Sequence, residues 1–502
     1  MLREEIKAHF KRLCVAANHT LTRSEYRKIN NIPEYSSTKI EGLWGSWKSF
    51  VSDVSCTINF NRYTLRKTVK KNVDNIVISS VTDGGHIDFD CFKTLIEYCK
   101  EQKCKLYILW GKAINPNAHF SKEEFEVLEG FLTTDLSFER DINCKAFDLL
   151  ISPTAKNPLQ NLDKLSKGLD TIIVGSPKQY LDILPYDPNH AYKIAASTGT
   201  LSSPNYKSTI SGILDDQNHT LGGLRLSWNK SKNRYDIRQL QYKNGCICDI
   251  NLKRYKPDTI EDITEVPCVV LGDLHAPETD KIAINDTIKL LQWLTPTQVI
   301  IHDWMSYQSI NHHDENKSLT KVLTQTEETK TLEIEMTAAL SVINDMAKKC
   351  KASKFNIIHS NHDDFLLKWL NTGEFVHGEI ANRVIGCELF AKLAKNQPLF
   401  EDRLEKNIHM LIPGEDVEVC GFQVGKHGDI GIAGARGNPN SYVKTYDKSI
   451  TGHTHSPKIK ESSVVVGTLS KLRLSYNQNS ISNWAQANCI LYENGSFQLI
   501  FV

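Results

Sequence analysis

The chain has 502 residues, 60 Lys and Arg against 59 Asp and Glu, and a hydrophobic share of 40%. That is too long for one ordinary core, so about two to four domains are expected. No run approaches the ~20 apolar residues of a membrane span, and Met1-Leu2-Arg3-Glu4-Glu5 leads into an amphipathic segment, so no secretory signal is expected. The 13 cysteines are scattered, and the close pairs Cys99/Cys104 and Cys246/Cys248 lack structural-zinc spacing. Reduced thiols in a cytosol are the expectation.

The near-zero charge is uneven. Residues 1–71 hold 14 Lys and Arg against 6 Asp and Glu, a net of +8, and the remainder carries a net of −7. A basic end suggests a polyanionic partner; a solvated, lysine-rich helical face is the alternative. Leu2, Ile6, Phe10 and Leu13 recur at helical spacing. Thr22 is an expected N-cap, with Glu25 completing a capping box. Gly42-Leu43-Trp44-Gly45-Ser46-Trp47 then opens another helix through Phe50 and Val54. Its Gly-Ser-Trp turn resembles the small helix-turn-helix-like repeats attached to phage and homing endonucleases. That resemblance implies a small helical DNA-binding domain over residues 1–71. Arg23, Arg27, Lys28, Lys39 and Lys48 are its candidate phosphate contacts, and Trp44 and Trp47 its candidate core. The stretch from Arg62 to Lys71 extends the basic surface or serves as a charged linker.

Residues 72–258 read as an α/β domain ending in a β-hairpin. Ile76–Ser79, Leu106–Leu109, Phe147–Ile151, Thr171–Gly175 and Ile194–Ala196 are strand-like runs, and Asp90–Glu101 has a helical pattern. Alternation of strands with helices predicts a mainly parallel sheet. Thr82-Asp83-Gly84-Gly85-His86 falls at a strand end, where ligands often bind, yet no phosphate-binding glycine fingerprint follows. A scaffold, docking or assembly role is expected there ahead of a second active site. Leu224–Trp228 and Tyr235–Arg238 flank a polar turn and predict a hairpin. Pro257-Asp258 is the expected boundary of a third domain, residues 259–502.

That last segment carries the chemistry. Five hydrophobic runs each end in metal-ligand side chains. Cys268–Gly272 delivers Asp273 and His275, and Val299–His302 delivers Asp303. Phe355–His359 delivers Asn361 and His362, Phe422–Lys426 delivers His427, and Ser449–Gly452 delivers His453 and His455. Residues two apart on an extended chain face the same way, so one ion can take both. An Asp, Asn and His donor set suits Mn²⁺, Fe²⁺, Zn²⁺ or Mg²⁺. Any one cluster is weak evidence; the ordered set carries the expectation.

The order resembles the calcineurin-like metallophosphoesterase superfamily over residues 266–502. The resemblance implies a two-sheet β-sandwich flanked by helices, and two divalent ions, Mn²⁺ foremost. Asp273, His275 and His455 would hold the first ion, Asp303 would bridge, and Asn361, His427 and His453 would hold the second. His362 would be the catalytic histidine beside them. Metal-activated hydroxide would then attack phosphorus in line with the leaving oxygen. The sequence departs from the family where His302 stands for a glycine, Ser306 for a second aspartate and Ser360 for a glycine. Asp363, Asp364, His312 or His313 are the candidates to replace that aspartate beside His362.

The segment from His427 through Gly434-Ala435-Arg436-Gly437-Asn438-Pro439 to His455 resembles phage-encoded metallophosphoesterases, including pre-early proteins implicated in host-DNA degradation. Residues 314–318 are distantly similar to a loop of SbcD-type repair nucleases. Arg436, in a glycine-rich loop, is a candidate DNA contact or a surface ion pair. The leading expectation is therefore a two-metal DNase acting in the cytoplasm, that of the host if phage-encoded, with DNA as partner and homo-oligomers admitted. The alternatives are a phosphoesterase on nucleotides or phosphoproteins, and a DNA-binding takeover protein with a near-silent metal site.

Overall fold

The computed structural model describes residues 2–17, 21–55, 73–82, 85–111, 121–133, 135–138, 144–147, 151–165, 171–187, 190–310, 329–377, 379–412, 414–474 and 480–502. The basic stretch at 62–71, loop residues 83–84, the stretch 148–150, His312, His313 and residues 314–318 lie outside the described residues. Among the described residues, no helix is long and apolar enough to cross a membrane.

The N-terminal segment folds as helices Leu2–Ala17, Arg23–Ile29, Ser37–Trp44 and Trp47–Ser55. Thr22 and Glu25 form the expected reciprocal capping box, satisfying two helix-end N–H groups that would otherwise be unpaired. Gly45 closes the third helix at φ 79°, a left-handed conformation that glycine enters without a Cβ penalty. Ile6, Phe10, Tyr26, Ile40, Phe50 and Val54 are fully buried and form the core. Trp47 packs on Phe10, Tyr26 and Phe50, while Trp44 packs on Phe50 and donates its indole N–H to Asp53. Both tryptophans are structural.

The remainder is mixed α/β, built on three sheets. One has eight strands. Asn75–Thr82, Lys105–Gly111 and Leu132–Thr133 run parallel, but Gly222–Asn229, Arg234–Lys243, Cys246–Asp249, Lys253–Lys256 and Thr259–Asp262 extend it antiparallel. The strands before residue 200 thus pair mainly in parallel, as expected, and the strands after residue 221 make this sheet as a whole mostly antiparallel. The cause is the short turns after residue 229, which can join only antiparallel neighbours. The predicted hairpin is among them, with Leu226 opposite Ile237. Pro257-Asp258 is itself such a turn, with Asp258 at φ 63°. Of the expected strand at Phe147–Ile151, Phe147 ends the strand Cys144–Phe147, and residues 148–150 lie outside the described residues.

The other two sheets position the site. A six-stranded sheet runs Ile408–Met410, Lys354–Ile357, Gln298–Ile301, Cys268–Val270, Ala487–Leu491 and Phe497–Phe501, the first four parallel. A ten-stranded sheet joins residues 418–465 to residues 135–197 through the pairing of Lys458–Lys460 with Leu181–Leu184. Strand periodicity separates the two cores. Cys268, Val270 and Ile300 point into the layer between the sheets, with Val424, Ile450 and Val464. Val269, Val299 and Ile301 point the other way, onto the helices Lys281–Leu294 and Leu332–Lys349.

Candidate metal centre

The expected donors converge at the C-terminal ends of these strands, the usual ligand crevice of an open α/β sheet. Asp273, His275, Asp303 and His455 are buried and offer ligand atoms all within 4.8 Å of one another. His275 Nε2 lies 2.7 Å from His455 Nε2, and His455 Nε2 lies 3.2 Å from Asp273 Oδ2. Asp303 Oδ2 is 3.4 Å from His275 Nε2 and 3.1 Å from His427 Nε2. It therefore stands between that group and a second one, in which His453 Nδ1 is 3.1 Å from Asn361 Oδ1 and the His427 and His453 rings are 5.2 Å apart.

The backbone is bent to achieve this. His275, Asp303, His453 and His455 have φ of 48°, 41°, 74° and 58°. Left-handed non-glycine residues carry strain that recurs at functional sites. Gly452 is required for a different reason: a Cβ there would stand 2.1 Å from Asp273 Oδ1. The N–H of His453 meanwhile donates to Asp273 Oδ2 at 2.8 Å.

The electrostatics suit a cation. Burial would raise the Asp273 and Asp303 carboxyls, yet the neighbouring histidines hold both below the ordinary carboxylate range. Burial pushes His275 down to about 3, so it is neutral and free to ligate. Burial would also lower His427, but Asp303 overcomes it and pushes His427 up to about 9. Among the described residues, Asp273 Oδ1 and Asp303 Oδ1 are buried without a hydrogen-bond partner, a costly state that a divalent ion would relieve. The donor set thus fits hard or borderline ions.

His362 lies against this group, its ring 4.8 Å from that of His275. Its Nδ1 is 2.9 Å from the Ser306 carbonyl oxygen, which can only accept, so Nδ1 carries the proton. Asp363 and Asp364 do not serve His362. Asp363 accepts from Trp304 Nε1, Tyr307 Oη and Ser360, and Asp364 pairs with His359. The acid that sequence reasoning missed is Glu278, which accepts from Ser306 Oγ at 3.2 Å. It reaches the site from the loop after Asp273-Leu274-His275, and no motif marks it. His302, which stands where the resembled family has glycine, is buried, with Nδ1 3.5 Å from His427 Nδ1.

A cleft of about 410 Å³ opens over the centre, lined by Asp303, Asn361, His362, Arg436, His453, His455 and Trp484. Trp484 meets His455 edge-on at 4.2 Å and had no sequence signal. Arg436 is exposed at the cleft wall. None of the N-terminal candidates is among the residues that line this cleft. Arg23 pairs with Glu41 at 2.5 Å and Arg27 donates to Ser37 at 2.7 Å, while Lys28, Lys39 and Lys48 are exposed.

The fold and site together define a mixed α/β protein with a buried Asp/His group of metal-binding geometry. No family model matches the chain. The chain is similar to protein A1 of Escherichia phage T5, with 25% identity over 378 residues, 70% of this chain and 67% of that protein. A crystal structure of the Pseudomonas putida nuclease MPE aligns with 51% of this chain and 94% of its own, at 13% identity and a TM-score of 0.22.

Proposed function

We propose that the protein is a two-metal phosphodiesterase that hydrolyses DNA. The observation that carries this reading is Asp303, placed within 3.4 Å of His275 and 3.1 Å of His427, so that one carboxylate joins two groups of buried donors. Asp273, His275 and His455 would hold one ion and Asn361, His427 and His453 the other, with Asp303 shared. Bound there, two divalent ions would polarise a phosphoryl oxygen and lower the pKa of a water.

The chain's own groups would do the rest. Ser306 O fixes the His362 tautomer and aims Nε2 at the cleft, where it can hold a proton for the leaving oxygen. Trp484 would exclude water from one side of the centre and offer a face to a base. Arg436 would take a flanking phosphate. The net +8 of residues 1–71 supports a polyanionic substrate, and Lys28 and Lys48 are exposed there to meet it.

The test is cleavage of linear and circular duplex DNA with Mn²⁺ or Mg²⁺, beside Asp303→Ala. Metal-dependent cleavage lost in the variant is expected. Hydrolysis of bis-p-nitrophenyl phosphate without DNA cleavage would sink the DNA assignment and leave a small-substrate phosphodiesterase.

A further inference from the structure

Helix Ile380–Ala394 is apolar on both faces. One face is accounted for. Asn382, Ile385, Gly386 and Leu389 are buried, Asn382 Oδ1 caps the N–H of Leu332, and Gly386 lies so close to Phe375 that a Cβ would stand 2.6 Å from it. The opposite face is open. Ile380, Val384, Cys387, Ala391 and Ala394 are all exposed, Ile380 at 75% and Val384 at 59%.

Their spacing of four, three, four and three residues is the heptad seam of paired helices. We infer that this face is the two-fold interface of a homodimer, one copy of helix Ile380–Ala394 packing antiparallel on the other.

The sequence of the seam selects both partner and direction. Its N-terminal half carries the large residues Ile380 and Val384, and its C-terminal half the small Ala391 and Ala394. Antiparallel pairing sets large against small along the whole length, keeping the axes evenly spaced. Parallel pairing would crowd one end and gap the other. Charge agrees: the exposed Glu379 precedes the helix and the exposed Lys395 follows it, so antiparallel copies bring opposite charges together. A two-fold interface must be complementary to itself, and this one is. A stable interface covers about 800 Å² per partner, more than one helix face supplies. Val376 and Phe390, exposed at 50% and 49% beside the seam, widen it.

Sedimentation velocity of the full chain over a wide concentration range tests this, with Val384→Glu and Ala391→Glu in parallel. Both sites are exposed, so each variant is expected to stay folded, which its circular dichroism spectrum and a cooperative melt check. The expected result is a dimer for the parent and monomers for both variants. A monomeric parent at every concentration would overturn the inference and leave the seam to a different protein. A dimer that survives both substitutions would overturn it equally. A short bismaleimide gives an independent reading, because Cys387 is the one exposed cysteine among the described residues. In a Cys56→Ser background it should yield a crosslinked dimer that Cys387→Ser abolishes. Absence of crosslinking would count against the seam.

Discussion

Two buried carboxylate clusters in this molecule use similar side chains to opposite ends. Around Asp249, which is fully buried, every oxygen is used: Tyr98 Oη at 2.8 Å, Gln498 Nε2 at 2.9 Å, and Arg238 through Nε and Nη2, both at 3.2 Å. Around Asp273 and Asp303, equally buried, Oδ1 of each has no partner among the described residues. The first cluster closes on itself and ties the eight-stranded sheet to the C-terminal strand. The second is held open by strained backbone and by neighbours that are themselves candidate ligands. Buried polar groups are normally satisfied within the protein, so the unsatisfied cluster is the one that points to chemistry.

The sharpest way to break the contrast is Asp303→Ala. It should abolish metal-dependent hydrolysis. It should also remove the rise in melting temperature that Mn²⁺ gives the parent, a stabilisation of about 2.7 kcal/mol at a hundredfold excess over Kd. Differential scanning fluorimetry with and without Mn²⁺ reads this directly. An unchanged metal response would show that the open cluster is not the metal site.

His362→Ala separates binding from chemistry. Turnover should fall by ~10²–10⁴-fold while the metal-induced shift persists. Loss of both together would make His362 a ligand.

Asp249→Ala tests the closed cluster. Arg238 would be left buried and unpaired, so denaturant unfolding should show a loss of about 3–5 kcal/mol. Activity per folded molecule should stay near the parent value. A kinetic defect without a stability loss would reverse the assignment of the two clusters.

The smallest effect concerns Glu335, whose carboxyl burial pushes up to about 7 despite accepting from the N–H groups of Gln308 and Ser309. Between the ordinary 4.5 and about 7 the folded state binds more protons than the unfolded one. The stabilising contribution is therefore full below that window and lost as pH rises through it, by at most about 3 kcal/mol. Glu335→Gln should flatten that slope in a pH series of melts. An unchanged slope would place the titration elsewhere.

The contrast also explains what was legible in the sequence. Donors at strand ends were visible because each follows a β-branched run, as in Val299-Ile300-Ile301 before His302-Asp303. The helical caps were legible for a similar reason, since Thr22 and Glu25 act within one turn. Glu278, Trp484 and the Asp249 network were not, because each works through partners far along the chain, 249 positions away for Asp249 and Gln498. Parallel pairing was legible in the alternation of strands and helices up to residue 197, but that alternation says nothing about how later hairpins add to an edge or how the strands divide between two sheets. The exposed heptad on helix Ile380–Ala394 was readable in principle, but only burial reveals that one apolar face is spare.

Ile459 pairs with Leu181, and Lys458 reaches Asp182 at 2.8 Å, so one sheet is stitched from segments far apart in the chain. Excising residues 259–502 as a separate fragment would bare the backbone of Lys458–Lys460 as a raw edge, a template for aggregation. Ribosomal synthesis meets the same constraint in time: the nascent half waits with an unfinished sheet until the ligand-bearing half emerges. The candidate metal centre is thus not a detachable cassette, because residues 135–197 complete one of the sheets that position it.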